Sequence, residues 1–335
     1  MAESEPDFRS TASIETLKQR AKLLAAVRRF FDQRGFFEVE TPILSNDIVV
    51  DRYLQPIPVK YSDVITGGDD QRRLWLQTSP EFAMKRLLAS GAKAIYQITK
   101  AFRAGEAGDQ HNPEFTMLEW YRVGDDYHAG MDLLAELTLS LFSSSKFDFE
   151  RVEKRTYAEV FKSFAGVDPL SCDLAKLKAC AAKHGVSLES DSEDIDFWRN
   201  LILTHVVQPK LGTKQPTIVF DWPESQSALA QIRVNETTGI SVAERFELYV
   251  GGVELANGYH ELLDADELQK RNAHVNTQRE SDGVAALPVE SRLLKAMDHG
   301  LPACSGVAMG IDRLAMVLLR KSSIRDVIAF PIDRA

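Results

Sequence analysis

Cysteine is scarce in this chain: Cys172, Cys180 and Cys304 are all it has in 335 residues. Their number is odd and their spacing fits no metal or redox motif, which argues against a disulfide framework and for reduced thiols. A long apolar run is also missing, since nothing approaches the ~18 residues of a membrane-spanning helix. The N-terminus, Met-Ala-Glu-Ser-Glu-Pro-Asp, is acidic and has neither the basic nor the apolar part of a secretory signal. A cytoplasmic location is therefore expected. Positive charge is short too: 40 Lys and Arg against 49 Asp and Glu leave a net charge of −9. Proteins that grip RNA through its phosphates carry a basic excess or stripe, and the lack of either counts against such a partner. No internal repeat or low-complexity tract appears. What is present is a globular composition, 44% hydrophobic and 27% charged, with length for one large domain or two smaller ones.

Along the chain, residues 1–12 are polar and predicted to be disordered. From Ser13, apolar residues at Ile14, Leu17, Ala21, Leu24, Val27 and Phe31 predict a helix ended by Gly35. A strand closing at Pro42 follows. Residues 46–70 read as a looser stretch turning at Gly67-Gly68, and Leu74 to Gln77 as a short strand. The next helix starts at Thr78-Ser79-Pro80-Glu81, where a hydroxyl can cap and Pro80 suits a first helical position. Helices are also predicted at 132–142, 156–165, 173–184 and 193–206, and a buried strand at Thr217 to Pro223. The middle of the chain, about 150–215, carries no readable chemistry.

Three stretches do. Tyr96 to Arg122 reads as a β-hairpin with a long polar tip. A period of two places Phe115, Met117, Glu119 and Tyr121 on one face of its second strand. Arg103 ends the first strand; it suits a bidentate oxyanion contact, or else a plain ion pair with Glu119. Glu244 to Glu261 carries Glu247 and Glu254 among apolar neighbours, seven residues apart. A turn or bulge at Gly251-Gly252 would let both carboxylates face one side, as a magnesium ion with phosphate ligands requires. Gly306 and Gly310 lie on a strand that feeds a helix, with Arg313 in its first turn, a place that favours an anion.

Taken in order, the first helix and strand, Phe102-Arg103 with the His-Asn-Pro-Glu-Phe-Thr-Met-Leu-Glu strand, and Gly306-x-x-x-Gly310-x-Asp312-Arg313 resemble the three motifs of class II aminoacyl-tRNA synthetases. The Glu244–Glu261 block is similar to the lysyl-tRNA synthetases in particular. The resemblance spans nearly the whole chain. It implies an α+β fold, an antiparallel sheet flanked by helices, over residues 13–335. Only about a dozen residues precede the first helix, so the N-terminal OB barrel that reads the anticodon is expected to be missing. That points to the truncated paralogue family, the elongation factor P lysine ligases.

This likeness implies adenylate formation from ATP and a lysine-like substrate, (R)-β-lysine (possible also for α-lysine), with Mg2+. The acyl group then passes to a lysine of elongation factor P rather than to tRNA, on a homodimer with no membrane partner. Arg103 and Arg313 are the implied catalytic residues, on the α- and γ-phosphates. Ala104, Gly105, Glu106, Asn112, Glu247, Leu248 and Gly310 complete the ATP site, and Glu247 with Glu254 holds the metal. Ser79, Pro80 and Glu81 line the amino-acid pocket, where Glu81 meets the substrate amine. Asn257 lies near the carboxylate, Glu261 with Tyr121 receives the side-chain ammonium, and Ala308 floors the pocket. Two positions depart from the pattern. The usual Phe-Arg-x-Glu is here Phe102-Arg103-Ala104-Gly105-Glu106, which moves the adenine-reading glutamate by one, and Ala308 stands where the synthetases carry glycine. A free-standing lysine–tRNA ligase and a non-catalytic amino-acid-binding regulator are the alternatives.

Overall fold

The computed structural model describes residues 8–68, 71–143, 145–186 and 192–335. Its elements are α1 (Ile14–Asp32), β1 (Phe37–Glu38), β2 (Leu44–Ser45), β3 (Ile57–Lys60), β4 (Arg73–Leu76), α2 (Glu81–Ala89), β5 (Ala94–Phe102) and β6 (Glu114–Val123). Then come α3 (Tyr127–Phe142), β7 (Glu153–Thr156), α4 (Tyr157–Phe164), α5 (Leu174–Lys183), α6 (Ile195–Ile202), β8 (Thr217–Pro223) and β9 (Ile232–Val234). The last are β10 (Ser241–Val250), β11 (Val253–His260), α7 (Ala265–Ser281), α8 (Arg292–Gly300), β12 (Cys304–Gly310) and α9 (Ile311–Leu318). The fold is the expected α+β type, with a largely antiparallel sheet flanked by helices. No helix among the described residues is long and apolar enough to cross a membrane.

The chain divides into two compact units, residues 1–121, 264–302 and 309–335 in the first and 122–263 with 303–308 in the second. In the first, α1 begins where Ser13 accepts a hydrogen bond from the Thr16 amide, and Gly35 adopts the left-handed φ of 76° that ends such a helix. Phe31 stacks on Tyr96 of β5 at 4.8 Å and meets Trp120 of β6 at 5.2 Å, which seats α1 on the hairpin. The first strand is only two residues long and runs parallel to β5; the expected strand to Pro42 does not persist. The looser stretch contains β3, which pairs with β4 in a small sheet ordered β2-β4-β3. Residues 1–7 of the predicted disordered segment lie outside the described residues. Of the rest, Thr11 donates its amide to Ala329 and Ala12 is buried.

In the second unit β10 is central, antiparallel to β8, β9 and β11, while β7 joins β8 in parallel. The helix α3 starts five residues earlier than predicted, capped by Asp126. Gly130 in its first turns masks it in the sequence because glycine is a poor helix former. Here the residue is required: a methyl at 130 would lie 2.1 Å from the Ser305 hydroxyl. The middle helices α4, α5 and α6 fall where predicted and pack a core of Tyr157, Phe161, Trp198, Ile202 and Trp222. After Ile202 the helix widens into a π-type turn over Leu203–Val207.

Candidate active site

The predicted site residues fall into two sets, one in each unit. In the first, the hairpin tip is built around Arg103. Its amide donates to Pro113, and the Ala104 amide donates to Gln55. Gly105 has φ 79° with open space around its α-carbon, so the tight turn, not crowding, calls for glycine. The turn carries Glu106 back to 3.8 Å from the Arg103 guanidinium. That guanidinium lies over the Phe115 ring at 4.9 Å, and its buried Nε has no hydrogen-bond partner. A charged fork with an unused donor suits an incoming oxyanion. The plain Arg103–Glu119 ion pair considered from the sequence does not form.

Glu119 instead has a task the sequence did not disclose. Its carboxylate, 1% exposed, accepts from the Ser79 hydroxyl at 2.8 Å and the Tyr121 hydroxyl at 2.6 Å. Burial first, and the nearby Glu81 second, push it up to about 8. Ser79 also accepts from the Glu81 amide, so it caps α2, while Pro80 sits at the cap rather than the first helical position. Glu81 is buried and paired with the buried Lys85 ammonium at 2.5 Å. Glu119 is thus held uncharged beside the Glu81–Lys85 pair, and an arriving ammonium would favour its ionised form.

Glu119→Gln is expected to raise KM for the amino acid and to flatten the pH dependence of stability. The folded carboxyl keeps its proton up to about pH 8, whereas an ordinary glutamate releases it near 4.5. The folded state therefore binds more protons in that window, and stability falls as pH rises through it. Denaturant midpoints across the window check this: an unchanged slope in the variant would mean that Glu119 is ionised in the fold.

Arg313, in the first turn of α9, donates Nε to the Gln110 carbonyl and lies 2.5 Å from the His111 ring nitrogen. His111 was not among the sequence candidates, although it begins the His-Asn-Pro-Glu run. The neighbouring Asp312 accepts from the Thr116 amide and pairs with Arg20 at 2.6 Å, which ties α9 to β6 and α1. Gly310 has nothing closer to an added methyl than the Arg313 side chain at 3.9 Å. The fold itself does not demand glycine there, consistent with space kept for a ligand. Asn112, expected on ATP, is buried and occupied at both ends: its amide donates to Glu114 and its carbonyl accepts from Ile332. Its visible work is to fasten the hairpin tip to the C-terminal segment.

In the second unit β10 and β11 form a hairpin closed by Gly251 and Gly252, both at positive φ, with Val250 opposite Val253. Glu254 lies opposite Tyr249, on the side that Tyr249 shares with Glu247. The turn thus brings the two carboxylates together as expected. A bulge does the rest. Leu248 pairs with Ala256 but Tyr249 with Glu254, leaving Leu255 as an extra residue that rotates Asn257 onto the same side. Tyr259 and Glu261 follow by the period of two.

Glu247 accepts from Arg245 at 2.6 Å and from the Tyr249 hydroxyl. Burial, then the Glu254 charge, push it up to about 7, so the pair asks for a cation. Among the described residues no group of three or more metal-ligating side chains occurs. Two carboxylates on one side of the hairpin suit a magnesium ion that takes phosphate and water as its other ligands. Leu248 is buried behind them, Glu261 is buried, and Ala308 is half-buried between the buried Val307 and Met309. Ala308 thus belongs to the more open side of β12, with Gly310.

A family model for class II tRNA synthetases (D, K and N) matches residues 3–334. The chain belongs to that family. It is 44% identical to a Yersinia enterocolitica protein over 98% of both chains, and 44% identical to a Vibrio vulnificus protein over 98% of this chain and 99% of that one. A Salmonella paratyphi B protein is 43% identical over 98% of both. All three are named elongation factor P–(R)-β-lysine ligase, and within the family this chain falls in their group. It is an ATP-dependent ligase.

Proposed function

We propose that the chain activates (R)-β-lysine as an adenylate and transfers it to a lysine side chain of elongation factor P. The observation that carries this is its likeness, over 98% of both chains, to ligases named for that substrate and acceptor. The intact arginines and carboxylate pair support it. In the first step a carboxylate oxygen of β-lysine attacks the α-phosphorus of ATP and the bond to pyrophosphate breaks. Arg103 draws the two anions together, and Arg313, steadied by His111 and the Gln110 carbonyl, takes the γ-phosphate. When bound, Mg2+ would screen the phosphate charge; Glu247 and Glu254 would hold it. The Glu119, Glu81 and Glu261 carboxylates attract the substrate's ammonium groups. In the second step the acceptor amine attacks the acyl carbon, AMP leaves, and an amide forms with loss of the amine proton.

The reading includes a cytoplasmic homodimer with a single catalytic domain. The exposed Phe37 and Ile43, 53% and 40% accessible, suit a face covered by a second copy. Mass spectrometry of elongation factor P after incubation with enzyme, ATP and (R)-β-lysine tests it. The expected mass gain is that of one β-lysyl group on a lysine. Charging of tRNA without modification of the factor would favour the free-standing tRNA ligase instead.

Adenine recognition is the part of this scheme at which the chain departs from the Phe-Arg-x-Glu pattern. Glu106→Gln is expected to weaken ATP binding and relax discrimination against GTP, because the turn at Gly105 has moved the glutamate by one position. If ATP affinity and the ATP/GTP ratio both stay constant, Glu106 serves only Arg103.

A further inference from the structure

The helical middle and Arg245 have no part in the scheme so far, yet the structure joins them. Arg245 is largely buried, with 18% of its side chain exposed, and every edge of its guanidinium is engaged. One Nη donates to Glu247 at 2.6 Å, the other to the Gln226 carbonyl at 2.9 Å, and Nε to Asn257 at 3.2 Å. The plane lies over the Trp222 ring at 4.4 Å. Gln226 is in turn held by α6: its amide donates to Asp196 at 3.1 Å, and Asp196 also accepts from Arg199 at 2.8 Å. Arg199 is anchored on the Pro169 carbonyl.

We propose that Arg245 is the positioning residue for the metal-binding carboxylate Glu247, and that α6 fixes Arg245 through Gln226. This rests on the reading of Glu247 and Glu254 as the metal pair. A planar fork whose three nitrogens are all fixed can hold one Glu247 oxygen while the Tyr249 hydroxyl donates to the other, so the carboxylate is oriented at both oxygens and keeps further lone pairs for a cation. A lysine or a water could not impose that direction. The contacts of α6 run inward to this fork, so the segment at about 195–226 supports the site from behind. Residues that orient a metal ligand typically change metal affinity roughly tenfold to a hundredfold when removed.

The test is Mn2+ binding to the whole enzyme with ATP and no amino acid, read from the EPR signal of free Mn2+. Wild type, Glu247→Gln, Arg245→Gln, Arg245→Lys and Gln226→Ala are compared. Arg245→Gln should weaken Mn2+ binding roughly tenfold or more, Arg245→Lys should recover part of the loss, and Gln226→Ala should shift in the same direction. The KM for magnesium should rise in these variants. If Glu247→Gln binds Mn2+ as wild type does, the metal reading itself fails. If Glu247→Gln is impaired but Arg245→Gln and Gln226→Ala are not, the positioning role is overturned. A loss in Arg245→Gln with none in Gln226→Ala overturns the part given to α6. Gln226→Ala keeps the test open should Arg245→Gln not fold.

Discussion

Alanine at Arg103 or at Arg313 is expected to lower ATP–pyrophosphate exchange by roughly a hundredfold or more, since losing a charged donor to a developing oxyanion costs ~3–4 kcal/mol of barrier. Each melting curve should stay close to wild type. Arg103 has one ion pair, at 3.8 Å to Glu106, and partly exposed pairs at such distances contribute below about 1 kcal/mol. Its guanidinium covers Phe115, so a small loss of packing is the foreseeable structural cost. Arg313 is engaged with His111 and the Gln110 carbonyl at the surface, while Asp312 beside it ties the helix to the fold. Removing Arg313 therefore loosens the hairpin tip without untying α9. Exchange near the wild-type rate in either variant removes that arginine from the chemistry. Lost exchange with a collapsed melting curve would assign it to the fold instead.

Ala308→Gly should raise activity with α-lysine while helping β-lysine little. In α-lysine the amine sits on the carbon next to the carboxylate, and in β-lysine one carbon further along. With the carboxylate and the far ammonium both held, the two near amines occupy different places. Ala308 is half-buried, on the side of β12 that carries the buried Gly306 and the half-buried Gly310, so part of the residue stays accessible. Crowding by one methyl is worth ~1–3 kcal/mol, roughly tenfold to a hundredfold in selectivity. Adenylation kinetics with both isomers measure it. An unchanged ratio of α- to β-lysine activity would show that the methyl only packs the strand.

Much of this fold is written locally. The Ser13 cap and Gly35 mark both ends of α1, and the Gly251-Gly252 turn marks the acidic hairpin, because each signal acts within a few residues. The short strands β3 and β7 escaped the sequence reading, since four residues give too little alternation to distinguish them from loop. The site divides in the same way. Arg103, Glu247, Glu254 and Arg313 stand in recognisable runs. The tie from Ser79 to Glu119 joins residues forty apart, and that from Asp196 to Gln226 joins residues thirty apart. Folding alone creates such pairs. The identity of Arg245 was visible in Glu-Arg-Phe-Glu, but its partners were not.

The regular alternation beyond the Leu255 bulge has a consequence for how this protein can change over generations. Side chains along β11 can be exchanged one at a time, each judged by its own fit. The length of the strand has no such freedom. Dropping Leu255 would only remove the bulge and leave Asn257 opposite Glu247, but dropping one residue further on, such as Gly258, would turn Tyr259 and Glu261 to the far side of the sheet in one event. No single substitution could restore them, so such a deletion would be lost from any lineage that needs the ligase. Lineages should therefore vary in composition along β11 away from Glu254, Asn257, Gly258 and Glu261 while holding the spacing between Asn257 and Glu261 fixed.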